Sequence, residues 1–194
     1  MSPWKMSTAA MLDPEVTEHG FRSTMGLFAS GVTIITVSVE GQAHGMTASA
    51  VMSVSLDPPL LAVAVDNRAH TRHLLEDAGH FGVNVLAEGQ SELALSFAER
   101  GRHGTELFGP GPVELGPGGD PLIPSSLTQL ACTVKASYPE GDHTLFVGRV
   151  TALSRPRITA DPLIFYRGRF SVTACHSCLV RTDPTLAYMT LHDS

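Results

Sequence analysis

The feature that most constrains the fold is a β-strand pattern that runs directly into a tight turn. Residues 33–39 are almost all β-branched or small, and the turn sequence Glu40-Gly41-Gln42 follows them. Val, Ile and Thr are favoured in strands, and a glycine-containing turn between two strand patterns indicates a hairpin. The sequence therefore predicts a sheet in which consecutive strands pair antiparallel.

The next strand pattern, residues 47–56, alternates between apolar even positions and mostly hydroxyl-bearing odd positions. Because side chains alternate between the faces of a strand, Thr47, Ser49, Ser53 and Ser55 are expected on one face of a single strand. Asp57-Pro58-Pro59 is expected to end it, since proline cannot donate to the ladder. Such a face can hydrogen-bond a planar polar ligand or a phosphate. The pattern alone favours an ordinary solvent-facing side of a sheet.

The remaining elements alternate between strands and short helices. Residues 101–124 are crowded with Gly and Pro and predict a long surface loop, which is a candidate lid. This order predicts a mainly β fold with inserted helices, arranged as an antiparallel barrel. Strands are predicted at 60–65, 81–86, 130–138, 144–153, 163–166 and 170–173, and helices at 21–29, 71–78 and 91–99.

Length and charge restrict the classes of partner. A chain of 194 residues with 43% hydrophobic residues can bury one sizeable core. We expect one domain at 21–175, an N-terminal arm at 1–20 and a C-terminal tail at 176–194. The formal net charge of -6 argues against nucleic-acid and anionic-membrane surfaces. The longest aliphatic run, 60–65, is far shorter than the roughly 20 residues of a membrane-spanning helix. With no signal-peptide pattern at the N-terminus, a cytoplasmic protein is expected.

Three motifs bear on chemistry without deciding it. Cys175-His176-Ser177-Cys178 has a spacing that suits zinc, but a tetrahedral site needs four ligands and no second Cys/His pair is evident, so no metal site is predicted. Glycine-rich phosphate loops of the Rossmann and P-loop types are absent from the sequence. His143 follows Asp142 at the mouth of a strand, where the turn either aims the imidazole into a cleft or leaves it on the surface.

Six segments, taken in order, resemble the flavin reductase components of two-component flavin-dependent monooxygenases. The resemblance extends from about residue 21 to residue 170. The segments are Phe21-Arg22-Ser23-Thr24-Met25-Gly26, Phe28-Ala29-Ser30-Gly31-Val32-Thr33, His44-Gly45-Met46-Thr47-Ala48-Ser49, Ser53-Val54-Ser55-Leu56-Asp57-Pro58-Pro59, Phe81-Gly82-Val83-Asn84-Val85-Leu86 and Gly141-Asp142-His143.

The resemblance implies a split β-barrel of antiparallel Greek-key type that binds FMN or FAD. It also implies a homodimer with the flavin near the subunit interface. The implied reaction is hydride transfer from NAD(P)H to flavin, and the reduced flavin then diffuses to a separate monooxygenase. FMN and FAD remain equal alternatives. The lack of an obvious arginine cluster for a 2′-phosphate favours NADH over NADPH.

The resemblance also assigns site residues. His143 would lie on the nicotinamide side with Asp142 beside it, and it is the residue assigned to catalysis. Arg167, Gly168 and Arg169 would meet the nicotinamide diphosphate or the flavin phosphate of a partner chain. The isoalloxazine and ribityl chain would be lined by Met46, Thr47, Ala48, Ser49, Ser53, Val54 and Ser55, and the rest of the flavin by Asn84, Phe97 and Ala98.

Three positions depart from the family pattern. Ala50 stands where a serine is frequent and Met52 where a threonine is frequent, which implies one flavin hydrogen bond fewer and looser flavin binding. Ser30 replaces a frequent threonine. Two other functions remain open on the same barrel: a redox sensor that binds flavin without turnover, and a self-contained flavoenzyme whose 101–124 loop covers an organic substrate.

Overall fold

The computed structural model describes residues 15–99, 108, 113–155 and 160–172. Within these ranges the chain forms three α-helices, a short 3-10 turn at Glu88–Gln90 and twelve strands. The helices are α1 (Glu18–Met25), α2 (His70–Ala78) and α3 (Ser91–Ala98). The strands are β1 (Ser30–Gly31), β2 (Thr33–Val39), β3 (Gln42–Ala48), β4 (Val51–Leu56), β5 (Pro59–Asp66), β6 (His80–Val85), β7 (Glu114–Leu115), β8 (Pro121–Leu122), β9 (Thr128–Glu140), β10 (His143–Leu153), β11 (Ile164–Tyr166) and β12 (Arg169–Ser171).

The main sheet has seven strands in the order β3-β2-β6-β9-β10-β5-β4, and every neighbouring pair is antiparallel. Its two edge strands, β3 and β4, are consecutive in the chain and are joined only by Ser49 and Ala50. An extended chain advances at most about 3.6 Å per residue, so this link holds the two edges close together. The sheet must therefore curl into a barrel, which stays split because β3 and β4 do not pair in the described part of the chain. The predicted split-barrel fold is confirmed.

The interior of the barrel is filled by aliphatic and aromatic side chains from most of its strands. Ile35, Val63, Phe81 and Phe146 are fully buried in one cluster. The Phe81 ring occupies the space beside Gly148, where an added Cβ would lie 2.5 Å from Phe81 Cζ. A second cluster lies between α3 and the three-stranded sheet β1-β11-β12, and its buried members are Val32, Ile34, Leu86, Ala94, Phe97, Ile123 and Leu163.

The single strand predicted for residues 47–56 is wrong. β3 ends at Ala48 and β4 begins at Val51, and a register shift between Ser53 and Ser55 interrupts β4 as well. The alternation of the sequence continues across this break because both halves are half-exposed edge strands. The two-residue period of apolar and hydroxyl side chains does not by itself reveal that the chain crosses from one edge of the sheet to the other.

The first helix is displaced from the prediction of 21–29. The Thr17 hydroxyl accepts a hydrogen bond from Gly20 N at 3.0 Å and caps the helix, which therefore begins at Glu18, inside the segment assigned to the arm. The helix ends at Met25, and Gly26 follows it as the C-cap. The predicted helices at 71–78 and 91–99 are confirmed to within a residue or two.

Several predicted features lie outside the described residues. These are most of the arm, residues 101–107 and 109–112 of the candidate lid, the tail and the Cys175-x-x-Cys178 motif. The described end of the 101–124 loop contains the small β7-β8 hairpin. In the described ranges, no helix has the length and apolar character to cross a membrane, and no three His, Cys, Asp or Glu side chains are grouped so as to hold a metal ion. Cys132 is a buried free thiol, and burial raises its pKa to about 12.

Candidate functional site

The two residues that join the barrel edges, together with the ends of β3 and β4, form what we call the corner, residues 47–55. Ser49 and Ser53 are exposed there and Ser55 is half-buried. Thr47 has a different role, because its hydroxyl donates to Ala94 O in α3 at 2.6 Å and fixes that helix to β3. Ala48 is buried, and its carbonyl accepts a hydrogen bond from the Thr33 hydroxyl at 2.8 Å. The corner therefore offers neutral hydroxyl groups on a well-anchored backbone.

Apolar side chains flank these hydroxyls. Met46 is half-buried and packs against the barrel core, whereas Val54 on β4 is exposed. Met52, which stands where the family pattern often has threonine, is also exposed. A planar ring system that rests on the corner would meet both apolar surface and hydroxyl groups.

Asn84 lies on β6, two strands away from Thr47 in the main sheet. The residue is 0% exposed, its Nδ2 donates to Ile34 O at 3.1 Å, and its Oδ1 accepts from Ile123 N at 2.7 Å. Nδ2 is also 3.3 Å from Thr36 Oγ1. These bonds join β6 and β2 to the segment that follows β8. These bonds are those of a residue that holds neighbouring elements together, and the predicted contact of Asn84 with the flavin stays a prediction.

Phe97 and Ala98 end α3 in contrasting environments. Phe97 is only 4% exposed, and its ring lies against Gly45, where an added Cβ would come within 2.6 Å of it. The ring also meets Phe108 edge to face, with 5.2 Å between the centroids. Ala98 is exposed. Of the residues assigned to the rest of the flavin, only Ala98 lies at the surface, and Phe97 supports β3 from inside.

His143 begins β10 directly after the turn at Gly141 and Asp142. Gly141 has a φ of +61°, a conformation that glycine adopts without strain. His143 Nδ1 lies 2.7 Å from Asp142 Oδ1, and 44% of the His143 side chain is exposed. The hydrogen bond and the charge of His143 lower the pKa of Asp142. With Nδ1 bonded to a carboxylate, Nε2 is the ring nitrogen left for a ligand.

The register of the sheet brings His143 and the corner together. His143 lies opposite Asp66 of β5, and Ala64 N in the same strand donates to Ala50 O at 3.0 Å. Only β5 therefore separates His143 from the corner at this end of the barrel. With strands 4.7 to 4.9 Å apart, the two backbones are roughly 10 to 12 Å from each other. A flavin ring on the corner and a nicotinamide ring beside His143 would be neighbours.

The β11-β12 hairpin carries the two arginines assigned to phosphates. Arg167 and Gly168 have φ values of +51° and +74°, as a two-residue turn of type I′ requires. An open cavity of about 460 Å³ is lined by Tyr166, Arg167, Arg169, Phe170 and Ser171. The Arg167 guanidinium lies over the Tyr166 ring, 5.2 Å from its centroid. Two guanidinium groups at one cavity fit a phosphate or diphosphate.

Together these residues fit a flavin. Neutral hydroxyls suit the polar edge of the ring, apolar side chains suit its face, and the arginine-lined cavity suits a phosphate. The sequence reasoning missed the residues that hold the His143 turn, Asn67 and Thr144. Their only signal is that Asn67 directly follows β5 and Thr144 directly follows His143.

Comparison with known proteins agrees with this geometry. Residues 25–174 match the flavin reductase like domain. The chain is 44% identical over 166 residues to an NADH-dependent flavin reductase from a Rhodococcus species, which covers 84% of this chain and 90% of the relative. It is 35% identical over 150 residues to the reductase component of 4-hydroxyphenylacetate 3-monooxygenase from Thermus thermophilus, covering 77% and 93%.

A solved structure shows the same fold. The NADH:FAD oxidoreductase of Streptomyces globisporus, in complex with NAD and FAD fragments, superposes with a TM-score of 0.77 at 33% identity. The superposition covers 87% of this chain and 99% of that one.

Proposed function

Because the chain belongs to the flavin reductase like family, we propose that it transfers a hydride from NADH to FMN or FAD and supplies the reduced flavin to a separate monooxygenase. The observation that carries this proposal is the position of the exposed corner hydroxyls and His143 at the same end of the barrel, with only β5 between them. The NADH dependence of the named relatives supports NADH as the hydride donor.

In this proposal the residues of the chain bind the flavin and the nicotinamide and orient them for hydride transfer. A bound flavin supplies the hydride acceptor, so the protein needs no strong acid, base or nucleophile. Ser49 and Ser53 hydrogen-bond the polar edge of the ring, where negative charge develops on reduction. Arg167 and Arg169 hold a phosphate. His143 Nε2 orients the nicotinamide, which brings the two rings to reacting distance.

Replacing His143 by alanine tests this assignment. Loss of one hydrogen bond to the nicotinamide should raise the KM for NADH roughly tenfold, while the KM for FMN changes less than about twofold. Asp142→Asn is the matched control, because its amide oxygen still accepts from Nδ1 and should preserve most of the NADH affinity. Equal increases in both KM values would remove His143 from the nicotinamide site.

The release of flavin distinguishes a reductase from its two alternatives. With Ala50 and Met52 at the corner, fewer hydroxyls hold the ring, and we expect flavin to exchange freely. NADH oxidation at 340 nm should depend on added FMN or FAD, and the flavin should elute apart from the protein on gel filtration. A single turnover with bound flavin would instead indicate a redox sensor. Multiple turnovers with flavin that does not exchange would indicate a self-contained flavoenzyme.

A homodimer is part of the proposal. Edge strand β4 exposes Met52, Val54 and Leu56, and α1 has no buried residue. Phe28, just beyond α1, is 74% exposed. Large exposed apolar patches mark interaction sites, and a second copy of the chain is the partner proposed here. Light scattering should give twice the chain mass of 20.6 kDa. The substitution Leu56→Asp should shift the protein to monomer, whereas a monomeric wild type would refute the proposal.

The proposed reaction also suggests the protein partner and the cellular location. The T. thermophilus relative is the reductase component of a monooxygenase, which supports a monooxygenase as the consumer of the reduced flavin here. Delivery by diffusion and a cytoplasmic location, where NADH is produced, belong to the same proposal. So does the assignment of residues 21–175 to the catalytic domain.

A further inference from the structure

Thr144, the residue after His143, is fully buried, and its hydroxyl group makes two hydrogen bonds. Its Oγ1 donates to Asn67 Oδ1 at 2.7 Å and accepts from Arg72 Nε at 3.3 Å. Arg72 belongs to α2 and forms an ion pair with Glu76 one helical turn later, with 2.9 Å between Nη2 and Oε1. The Thr144 hydroxyl therefore links α2 to the loop that follows β5.

Asn67 continues this link to the turn that precedes His143. Its backbone N donates to Asp142 O at 2.9 Å, and its side-chain Nδ2 donates to Gly141 O at 3.2 Å. A single residue thus binds both carbonyl groups of the turn. Its side-chain oxygen is held at the same time by Thr144, which fixes the orientation of the amide.

The hairpin by itself leaves the tip of the turn less well defined. Pairing of His143 with Glu140 of β9 and with Asp66 of β5 fixes the His143 backbone, but Gly141 and Asp142 at the tip lie beyond both ladders. The one hydrogen bond described for the His143 ring goes to Asp142, whose side chain is 83% exposed and belongs to the same turn. The orientation of the imidazole, which is bonded to Asp142, therefore depends on what holds the Gly141-Asp142 turn.

We propose that Asn67 and Thr144 are positioning residues for His143: they hold the turn so that the imidazole faces the nicotinamide bound beside the corner. This inference rests on the proposed function, since it requires that His143 binds the nicotinamide. A purely structural contact would affect protein stability and would treat both substrates alike. A positioning contact affects the nicotinamide selectively.

The test compares two changes with a conservative one. Asn67→Ala removes both side-chain bonds but leaves the backbone bond to Asp142. Thr144→Val is nearly isosteric and removes the hydroxyl, and Thr144→Ser retains it. We expect Asn67→Ala and Thr144→Val to raise the KM for NADH, and the Kd of NAD⁺ for the flavin-free protein measured by calorimetry, roughly three- to tenfold. The KM for FMN should change less than about twofold, and Thr144→Ser should resemble the wild type.

A double-mutant cycle separates this inference from the proposed function. In a His143→Ala background, Asn67→Ala should change the Kd of NAD⁺ less than about twofold, because the residue it positions is gone. An undiminished effect in that background would overturn the positioning role while leaving the reductase assignment intact. So would a wild-type Kd and KM in the Asn67→Ala single variant. If His143→Ala itself leaves NADH and NAD⁺ binding unchanged, the role of His143 fails and the inference fails with it.

Discussion

Replacing Asn84 by alanine separates a scaffold role from direct flavin contact. The change leaves the Ile123 N–H, which now donates to Asn84 Oδ1 at 2.7 Å, buried and without this acceptor. It also removes the bond to Ile34 O and leaves a small void. The Thr36 hydroxyl keeps its bond to Pro121 O at 2.6 Å. One unsatisfied buried donor costs about 1 to 3 kcal/mol, and with the void the free energy of unfolding should fall by about 2 to 4 kcal/mol.

Thermal unfolding followed by circular dichroism measures this loss. For a chain of this length, about 3 kcal/mol corresponds to a decrease in Tm of roughly 6 to 12 °C. Gln42→Ala is the control, since it removes an amide from an exposed position at the start of β3 and should cost less than about 1 kcal/mol. Below the transition, the Kd of the Asn84→Ala protein for FMN should stay within roughly threefold of wild type. An unchanged Tm together with lost FMN binding would show that Asn84 contacts the flavin, and would refute the scaffold reasoning.

Two further predictions concern packing and charge. Gly148→Ala should lower the free energy of unfolding by about 1 to 3 kcal/mol in urea, because the new Cβ would lie 2.5 Å from the buried ring of Phe81. Gly89→Ala, which meets nothing within 4 Å, should show no loss, and equal stabilities of the two variants would contradict the packing argument. Burial raises the pKa of Asp120 above its ordinary value of 3.8, although the bond to His80 opposes this rise. Ionisation of the buried carboxyl group therefore lowers the free energy of unfolding. The difference between the Tm of wild type and the Tm of Asp120→Asn should therefore fall as the pH rises from about 4 to 7. A difference that stays constant or rises would contradict the destabilising effect of the ionised carboxylate.

Much of the fold could be predicted because its signals are local. The β-branched run at 33–39 coincides with β2, and the aliphatic run at 60–65 lies within β5. The helical patterns give α2 and α3 to within a residue or two. Side-chain period and turn chemistry act over a few neighbouring residues, so they can be recognised in a single chain. The order of the six family segments extends this to the barrel and to the reaction class, which the comparisons confirm.

Tertiary structure decided which residues lie at the site. The break at Ser49 and Ala50 exists because the curled sheet brings its two edges together, a long-range outcome that residues 47–56 do not encode in their alternation. The Asn84 side chain, which sequence reasoning placed against the flavin, is fully buried and bonded to neighbouring elements. The bonds from Asn67 to the His143 turn join residues more than 70 positions apart. Local sequence determines which residues form strands, but the register and curvature of the closed-up sheet decide which side chains face a ligand and which hold the others in place.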